Sequence, residues 1–336
     1  MDAKNMRLVT YNIEWFAHLF DDADNLMLDG KPSGRYGVDR YTQGRGIAHV
    51  LQRLDADAVM VVEAPNTGRK QRCTRALERF AAEAGLRTNI AVSGFATSTH
   101  QEIALLYDPT VLTVEGDPQA SKETPGFDQS FLIDLDVDDR MDRVRFSKPP
   151  LELRVSTKEG VALRLIGAHL KSKAPHGADN AKDVVRLAIA NRRKQLAQAI
   201  WLHRRVTDHI EAGEHVIVMG DLNDGPGLDE YERLFGKSSV EIVMGSELTD
   251  PHAQRLLKPR ETVLPSTSRF YNPETKSYLR ALLDYIMISH GLEAYAPRWR
   301  IWHPFEDAEC YDNIPLREAL LAASDHFPVS LDLELT

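Results

Sequence analysis

The chain has 336 residues, of which 43% are hydrophobic and 27% charged, and this composition excludes a disordered, collagen-like or low-complexity protein. Its 41 basic and 50 acidic residues give a formal charge of −9, which argues against a protein that coats nucleic acid non-specifically. No stretch approaches the roughly 18 consecutive apolar residues of a membrane span, and the two cysteines, Cys73 and Cys310, form neither a disulfide framework nor a zinc-ligand cluster.

Short runs of β-branched and apolar residues, bounded by Gly, Pro, Asn or Asp, recur along the chain and predict β-strands. The runs VIVM and AVMVV are apolar throughout, which indicates burial on both faces. The runs SFLIDLDV and SLDLEL alternate, which indicates one exposed or helix-covered face. The predicted strands cover residues 6–13, 58–63, 89–93, 103–107, 130–137, 151–156, 161–169, 215–220, 283–289, 298–302 and 327–335.

Apolar residues at helical spacing predict three helices, over residues 41–54, 71–84 and 181–211. Lone helices among so many strands indicate two sheets packed face to face with helices outside. No repeat and no Pro-, Gly- or Ser-rich linker divides the chain, so we predict a single domain over residues 1–336. Its irregular stretches are interpreted as loop insertions near residues 20–40, 115–150, 249–273 and 304–315.

Polar residues stand where predicted strands meet loops, and such positions converge on one edge of a sheet. Oxygen ligands dominate the set and cysteine is absent, which is typical of a site for a hard cation such as Mg²⁺ or Mn²⁺. The histidines can bind phosphate oxygens, transfer protons or activate water. The residues are Asn12, Glu63, His169, Asp221, Asn223, Asp284, Asp325 and His326.

Each of these residues alone also has an ordinary structural interpretation. An aspartate after an apolar strand, such as Asp221 or Asp284, often caps the next turn. A lone Glu63 at a strand end is usually just exposed, and a lone His169 is more often a half-buried, hydrogen-bonded histidine. The adjacent Asp325 and His326 are harder to explain this way, because two such groups at a strand start are costly unless they have partners.

Six segments together resemble the endonuclease/exonuclease/phosphatase superfamily, and they occur in the family's order. GDLND is similar to its G-D-x-N motif, SDHFPV to S-D-H-x-P and LDYIMIS to D-Y-I, and YNIEWF, VVEAPN and GAHLKSK fill the remaining places. The family includes pancreatic-type deoxyribonucleases, abasic-site endonucleases, inositol-polyphosphate 5-phosphatases and neutral sphingomyelinases. The matching segments span residues 9–329, and so cover nearly the whole chain.

The resemblance implies an α+β fold, a four-layer α/β/β/α sandwich of two packed mixed sheets flanked by helices, with the site at one end of the sheets. It also implies that Glu63 is the main ligand of a Mg²⁺ (or Mn²⁺) cofactor. Asn12 would lie beside Glu63, and Asp325 would be able to contribute to the same metal site.

The resemblance implies catalytic roles as well. Asp221 matches the residue that positions or deprotonates the attacking water, and Asn223 the residue that orients this aspartate and contacts phosphate. His326 matches the histidine on the scissile phosphate, held by Asp284, and His169 matches the second histidine. Whether Asp221 or His326 is the general base stays open at this point.

Two further residues are candidates with competing interpretations. Glu102 stands where bacterial nuclease-like members have an aspartate, and it could orient His169. Lys171, in HLKSK, could contact phosphate or could be a solvated loop lysine. Arg192 and Arg193, on the longest predicted helix, are interpreted as part of its solvated face.

The segments HLKSK and EAPN resemble bacterial nuclease-like members most, so we predict a phosphodiesterase or nuclease that uses in-line attack by water. The alternatives are a phosphatase or phosphodiesterase acting on a small molecule or phospholipid headgroup, and a non-catalytic binding module on the same fold. The expected partner is a phosphoester substrate, with nucleic acid among the candidates. No signal peptide is evident, so a cytoplasmic protein is the default expectation, and the mature form of a secreted protein stays an alternative.

Overall fold

Two six-stranded sheets form the centre of the protein. The computed structural model describes residues 4–97, 99, 101–135, 141–174, 177, 180–225, 236–257, 264–272 and 276–335. The first sheet contains β1 (Lys4–Asn12), β2 (Ala58–Ala64), β3 (Ile90–Ser93), β4 (Glu102–Tyr107), β15 (Arg298–Ile301) and β16 (Val329–Leu335). Its strand order is β15-β16-β1-β2-β4-β3, with β1 parallel to β2 and antiparallel to β16.

The second sheet has the order β11-β14-β10-β9-β8-β5. These strands are β5 (Leu112–Gly116), β8 (Leu151–Thr157), β9 (Ala162–His169), β10 (Val216–Asp221), β11 (Leu248–Thr249) and β14 (Asp284–Ser289). Two separate hairpins pair β6 (Phe131–Ile133) with β7 (Asp142–Val144), and β12 (Ser268–Asn272) with β13 (Ser277–Ala281).

Helices cover the outer faces of both sheets. The helices are α1 (Arg40–Leu54), α2 (Cys73–Glu83), α3 (Ala181–Glu211), α4 (Ser239–Met244), α5 (Pro251–Leu256), α6 (Ala308–Asp312) and α7 (Ile314–Ala323), with 3-10 turns at Phe16–Leu19 and His290–Tyr295. One apolar cluster joins the first sheet to α1, α2 and α7, and another joins the second sheet to α3 and α4. Among the described residues, no helix combines the length and apolarity needed to cross a membrane.

A third apolar cluster, which includes Leu8, Met60 and Leu165, fills the space between the sheets. The sheets approach so closely here that a Cβ atom on Gly167 would lie 2.5 Å from the sulfur of Met60. The order of layers is therefore helix, sheet, sheet, helix, and the predicted four-layer α/β/β/α fold is confirmed.

The longest helix spans the residues that its periodicity predicts, 181–211, whereas several segments interpreted as loops contain short strands. The stretch 115–150 contains β6 and β7, and the stretch 249–273 contains β12 and α5. β6 lies within the predicted strand 130–137, whereas β7 and β12 have three and five residues and few β-branched side chains, so their alternation is too short to detect. Residues 136–140, which include the end of the predicted strand 130–137, lie outside the described residues.

Candidate active site

Strand register brings three predicted site residues to one edge of the second sheet. β10 runs parallel to β9 and antiparallel to β14, and the register places Asp221 beside both His169 and Asp284. In the first sheet, Asn12 ends β1 and pairs with Val62, directly before Glu63 in β2. Asn12 Nδ2 lies 3.0 Å from Asp221 Oδ2, so these strand ends of the two sheets lie at the same side of the molecule.

A cleft of about 1080 Å³ opens at this side, between the ends of the two sheets. Eight of the ten predicted site residues line it: Asn12, Glu63, His169, Lys171, Asp221, Asn223, Asp325 and His326. Asp284 lies behind His326, and Glu102 lies in β4. The cleft wall also has an apolar side formed by Val184 and Ala188 of α3 and by Phe270 and Leu279 of the β12–β13 hairpin.

Two of the cleft residues have left-handed backbone conformations that non-glycine residues rarely adopt. Glu63 has φ of 59° and lies at a register shift between Val62 and Ala64, which is a β-bulge. A bulge changes the direction of a side chain at the end of a strand. Asn223 has φ of 50°. Each such conformation costs about 1–3 kcal/mol, and such costs are concentrated at functional sites.

Asp221 accepts hydrogen bonds from three N–H groups. Asn12 Nδ2 donates to its Oδ2 at 3.0 Å, and Asn223 donates from its backbone N to Oδ1 at 2.7 Å and from Nδ2 to Oδ2 at 3.2 Å. Burial raises the pKa of Asp221 to about 7, although His326 and the Asn223 backbone N–H oppose the shift. Donors at the end of β1 and in the loop after β10 thus fix the position of the carboxylate, whose pKa lies near neutrality.

His326 is held by a buried carboxylate. Its Nδ1 is 2.7 Å from Asp284 Oδ2, and Thr267 Oγ1 donates to the same oxygen at 2.7 Å. Burial alone would lower the pKa of His326, but the negative charge and hydrogen bond of Asp284 raise it well above its usual value. Phe270 packs edge-on against the imidazole, with ring centroids 5.4 Å apart. The Asp284 carboxylate therefore favours the charged imidazole, and its contact with Nδ1 leaves Nε2 for a ligand.

Lys148 is a cleft residue that the sequence analysis missed. Its Nζ lies 3.2 Å from Nδ1 and 3.1 Å from Nε2 of His169, and burial lowers its pKa while Glu63 and Asp221 oppose that shift. Burial, with the positive charges of Lys148 and His326, holds the pKa of His169 well below its usual range. Lys148 precedes β8, whose Leu151 pairs with Gly167, so it lies at the edge where β9 ends.

A group of oxygen atoms next to Asp221 fits a hard divalent cation. Oδ1 of Asn12 and Oδ1 of Asp325 are buried and accept no hydrogen bond from the described residues. The Asn12 amide donates to Asp221, and this orientation leaves its carbonyl oxygen for another ligand. Burial raises the pKa of Glu63. The positive charges of Lys148 and His326 oppose this shift, and the negative charge of Asp325 adds to it. Unpaired buried oxygens of this kind are the donors that Mg²⁺ prefers.

Glu14 adds a carboxylate to this side of the cleft, and the sequence analysis did not select it. Burial raises its pKa to about 7, with a further contribution from the nearby charge of Asp325. Arg35, from the 20–40 insertion, donates to Glu14 Oε2 at 2.6 Å and lies 4.0 Å from Asp325 Oδ1. Separately, one ligand atom each of Asp221, Asp284 and His326 lie within 4.8 Å of one another, a second group that could hold a metal ion.

The two candidates with competing interpretations occupy different environments. Lys171 lines the cleft, and burial together with the charge of Lys194 lowers its pKa. Glu102 is buried at the start of β4, where its carboxylate accepts hydrogen bonds from the backbone N–H groups of Thr67 and Thr97. Glu102 therefore holds two loops together, and among the described residues Lys148 lies within hydrogen-bond distance of His169.

The loop that carries Asp221 and Asn223 is anchored by a buried ion pair. Asp224, fully buried, accepts hydrogen bonds from Arg192 at 2.5 Å, Lys173 at 2.6 Å and the backbone N–H of Ser239 at 2.6 Å. The interpretation of Arg192 as part of a solvated helix face is therefore wrong, because only 1% of this residue is exposed. Arg192 can be buried on α3 because the carboxylate of Asp224 neutralises its positive charge.

Replacing Asp224 by Ala is expected to lower the free energy of unfolding by about 3–5 kcal/mol, because it removes a buried carboxylate that pairs with the buried Arg192 at 2.5 Å. Urea denaturation followed by circular dichroism measures the change. The matched control is Asp312→Ala, on the exposed face of α6, with an expected effect within about 0.5 kcal/mol. Equal stabilities of the two variants would contradict the anchoring role.

Comparison with known proteins identifies relatives of the whole chain. The sequence profile of the Endonuclease/Exonuclease/phosphatase family matches residues 9–326. No match is found among curated proteins. Among solved structures, an endonuclease/exonuclease/phosphatase family protein from Bacteroides thetaiotaomicron has 14% sequence identity and a TM-score of 0.52, over 99% of this chain and 98% of that one.

Two further structures have the same fold. An AP endonuclease from Archaeoglobus fulgidus has 10% identity and a TM-score of 0.52, over 97% of this chain and 98% of that one. The D. rerio protein TDP2, complexed with a single-strand DNA product, has 14% identity and a TM-score of 0.51, over 98% of each chain. At these identities the similarity establishes the shared fold.

Proposed function

The chain belongs to the endonuclease/exonuclease/phosphatase family, whose members hydrolyse phosphoester bonds, and we propose that it is a divalent-metal-dependent phosphodiesterase that acts on nucleic acid. The observation that carries this proposal is the convergence of three groups in one cleft. These are the hydrogen-bonded carboxylate of Asp221, the charged pair of His326 and Asp284, and the unpaired oxygens of Asn12 and Asp325.

Glu63, Asn12 and Asp325 are the residues that would hold the cation, with Glu14 as a further carboxylate at the same side. A bound Mg²⁺ or Mn²⁺ would supply positive charge that stabilises a developing oxyanion. Lys148, buried among Glu63, Asp221 and His169, adds a fixed positive charge to the same end of the cleft. The group of Asp221, Asp284 and His326 is a weaker candidate for the cation, because Asp284 and His326 already bond to each other.

Of the two residues that the sequence leaves as candidates for the general base, we propose Asp221. Its three N–H donors fix the carboxylate, and a pKa near neutrality suits proton abstraction from water. The water oxygen forms the new bond to phosphorus, its proton passes to Asp221, and the bond from phosphorus to the leaving oxygen breaks. Asp284 raises the pKa of His326 and so favours its imidazolium form, which makes His326 a poorer candidate for the base than Asp221.

His326 is proposed to donate from Nε2 to a phosphoryl oxygen, where negative charge accumulates during the reaction. Asp284 holds Nδ1 and so fixes both the orientation and the charge of the ring. His169 and Lys148 form a second donor pair at the opposite side of Asp221, and Lys171 is placed to contact phosphate at the rim. Asn223 is proposed to orient Asp221 through its two hydrogen bonds to the carboxylate.

The size and lining of the cleft favour a diester over a small monoester. The cleft is lined by Glu14, Trp15, Val184 and Leu279 in addition to the catalytic groups. Its volume of about 1080 Å³ leaves room for a phosphate with a substituent on each side. Two structural neighbours, an AP endonuclease and a protein complexed with a single-strand DNA product, support nucleic acid as the substrate class.

A small-molecule phosphatase or phosphodiesterase is the second candidate, and the apolar wall of Val184, Ala188, Phe270 and Leu279 is the observation that favours it. An apolar substituent, such as part of a phospholipid, would fit beside this wall. A non-catalytic binding module is less well supported, because a protein that only binds needs neither the Asp221 geometry nor the His326–Asp284 pair.

The test is a panel of substrates assayed with Mg²⁺ or Mn²⁺: plasmid DNA, single-stranded DNA, RNA, bis-p-nitrophenyl phosphate and p-nitrophenyl phosphate. We expect diesters to be cleaved faster than monoesters, and nucleic acid to be cleaved. Asp221→Asn, which lacks the proposed base, is the inactive control that excludes a contaminating enzyme. A clear preference for the monoester would favour the second candidate, and folded protein that cleaves nothing would favour the binding module.

A further inference from the structure

An exposed stack of three tyrosines lies outside the cleft, at the β12–β13 hairpin. Tyr36 stacks on Tyr271 with ring centroids 5.5 Å apart and an angle of 22° between the rings. Tyr271 packs against Tyr278 at 5.2 Å and 54°. We call Tyr36, Tyr271 and Tyr278 the tyrosine ladder. It joins two parts of the chain that are more than 200 residues apart, the 20–40 insertion and the hairpin.

The ladder is unusually exposed for stacked aromatic rings. Tyr36 is 86% exposed, Tyr278 49% and Tyr271 36%. If the stack served only to attach the insertion to the hairpin, packing would bury most of the ring of Tyr36. Instead the ring has one face on Tyr271 and the rest in solvent, so it can accept another planar group.

Two arginines lie in the hairpin that carries Tyr271 and Tyr278, although the formal charge of the whole chain is −9. The strands β12 and β13 carry Arg269 and Arg280 and no acidic residue. The guanidinium carbon of Arg269 lies 3.2 Å from the centroid of the Tyr278 ring and 5.3 Å from that of Phe305. Arg280 forms an ion pair with Glu306. Stacked rings beside an arginine are complementary to nucleobases joined by phosphates.

The hairpin connects the ladder to the cleft. Side chains alternate along a strand, and Phe270 pairs with Leu279 in the register that also pairs Tyr271 with Tyr278. Phe270 and Leu279 line the cleft, so Tyr271 and Tyr278 project from the opposite face of the same hairpin. At the other end of the stack, Tyr36 follows Arg35, which contacts Glu14 in the cleft wall. A strand that leaves the cleft over the hairpin would therefore meet the ladder.

We propose that the tyrosine ladder binds unpaired nucleotides of the substrate outside the cleft, with Arg269 at a phosphate. This proposal rests on the proposed function and specifies its substrate as nucleic acid with a single-stranded segment. Base stacking on aromatic rings tolerates any sequence. It also supplies part of the affinity for a polyanion without a large basic surface, and the contact of Arg269 with a phosphate should make binding weaken as the salt concentration rises.

The test measures binding of a fluorescein-labelled 20-nucleotide oligothymidylate by fluorescence anisotropy in EDTA, where cleavage does not interfere. Tyr36→Ala and Tyr271→Ala should each weaken binding by about tenfold, as loss of one stacked base would. Tyr36→Phe and Tyr271→Phe keep the rings and should bind like the wild type. The matched control is Tyr311→Ala, because Tyr311 is 50% exposed and its ring contacts Arg317 on a different element.

Hydrolysis of bis-p-nitrophenyl phosphate separates this proposal from the proposed function. The alanine variants should hydrolyse this small diester at the wild-type rate, because the ladder lies outside the cleft. Wild-type protein that hydrolyses it but does not bind the oligonucleotide, or binds it equally well in the alanine variants, would overturn the ladder proposal alone. Ladder-dependent binding without any phosphoester cleavage would support the ladder and overturn the proposed enzyme. If Tyr36→Ala lost small-diester hydrolysis to the same extent as oligonucleotide binding, the ladder proposal would also be overturned, because the ladder would then only support the structure of the cleft.

Discussion

Chelation of divalent cations with EDTA is expected to abolish hydrolysis, and addition of Mg²⁺ or Mn²⁺ is expected to restore it. The reason is the surplus of negative charge and unpaired oxygen at one side of the cleft. Glu63, Glu14 and Asp325 lie together there, and Oδ1 of Asn12 and of Asp325 have no hydrogen-bond donor among the described residues. A phosphodiester adds another negative charge, which Lys148 and His326 cannot compensate alone.

The contribution of Glu63 can be measured separately from that of the fold. Glu63→Gln keeps the size of the side chain and removes its charge, so the Mg²⁺ concentration for half-maximal activity should rise by at least about tenfold, because one charged ligand is lost. Mg²⁺ should also raise the melting temperature of the wild type more than that of this variant. The matched control is Glu247→Gln, which lies outside the cleft. Full activity after exhaustive chelation would contradict metal dependence altogether.

The sequence predicts the parts of the fold that have long, regular patterns. The apolar stripe of α3 repeats over 31 residues, so both of its ends could be predicted. The site could be predicted in outline for a different reason. Asp221, His169 and Asp284 end or begin buried strands, and the register of β9, β10 and β14 then brings them together.

The residues that the sequence did not reveal depend on tertiary contacts. Lys148 stands in a segment without a distinctive pattern, and the pairing of β8 with β9 brings it into the cleft. Glu14 stands in the segment YNIEWF, but its contact with Arg35 depends on the tertiary structure. Arg192 looks like an exposed helical residue because its partner, Asp224, is 32 residues away. The tyrosine ladder joins Tyr36 to a hairpin whose strands are too short to predict.

Replacing His326 by Ala is expected to lower kcat by about 10²- to 10³-fold, because it removes a charged donor from the phosphoryl oxygens. We propose that Asp284 acts on the reaction mainly through this ring, to which it is joined by the 2.7 Å hydrogen bond. The double variant His326→Ala, Asp284→Asn should therefore lose about as much kcat as His326→Ala alone. If the two single losses multiply in the double variant, the residues act independently and Asp284 is not a positioning residue.

The pH dependence gives a second readout of the same pair. Asp284 raises the pKa of His326 well above its usual value, so the wild-type enzyme should keep its imidazolium, and its activity, until the pH passes that raised pKa. Asp284→Asn keeps a hydrogen-bond acceptor but removes the charge, which lowers the pKa of His326. The falling limb of the kcat profile should then move to lower pH. Thr267→Val is the matched control, since it removes the other hydrogen bond to Asp284 Oδ2 and leaves the charge in place. It should move the limb much less than Asp284→Asn does, because the charge of Asp284, rather than the number of its hydrogen bonds, keeps His326 protonated.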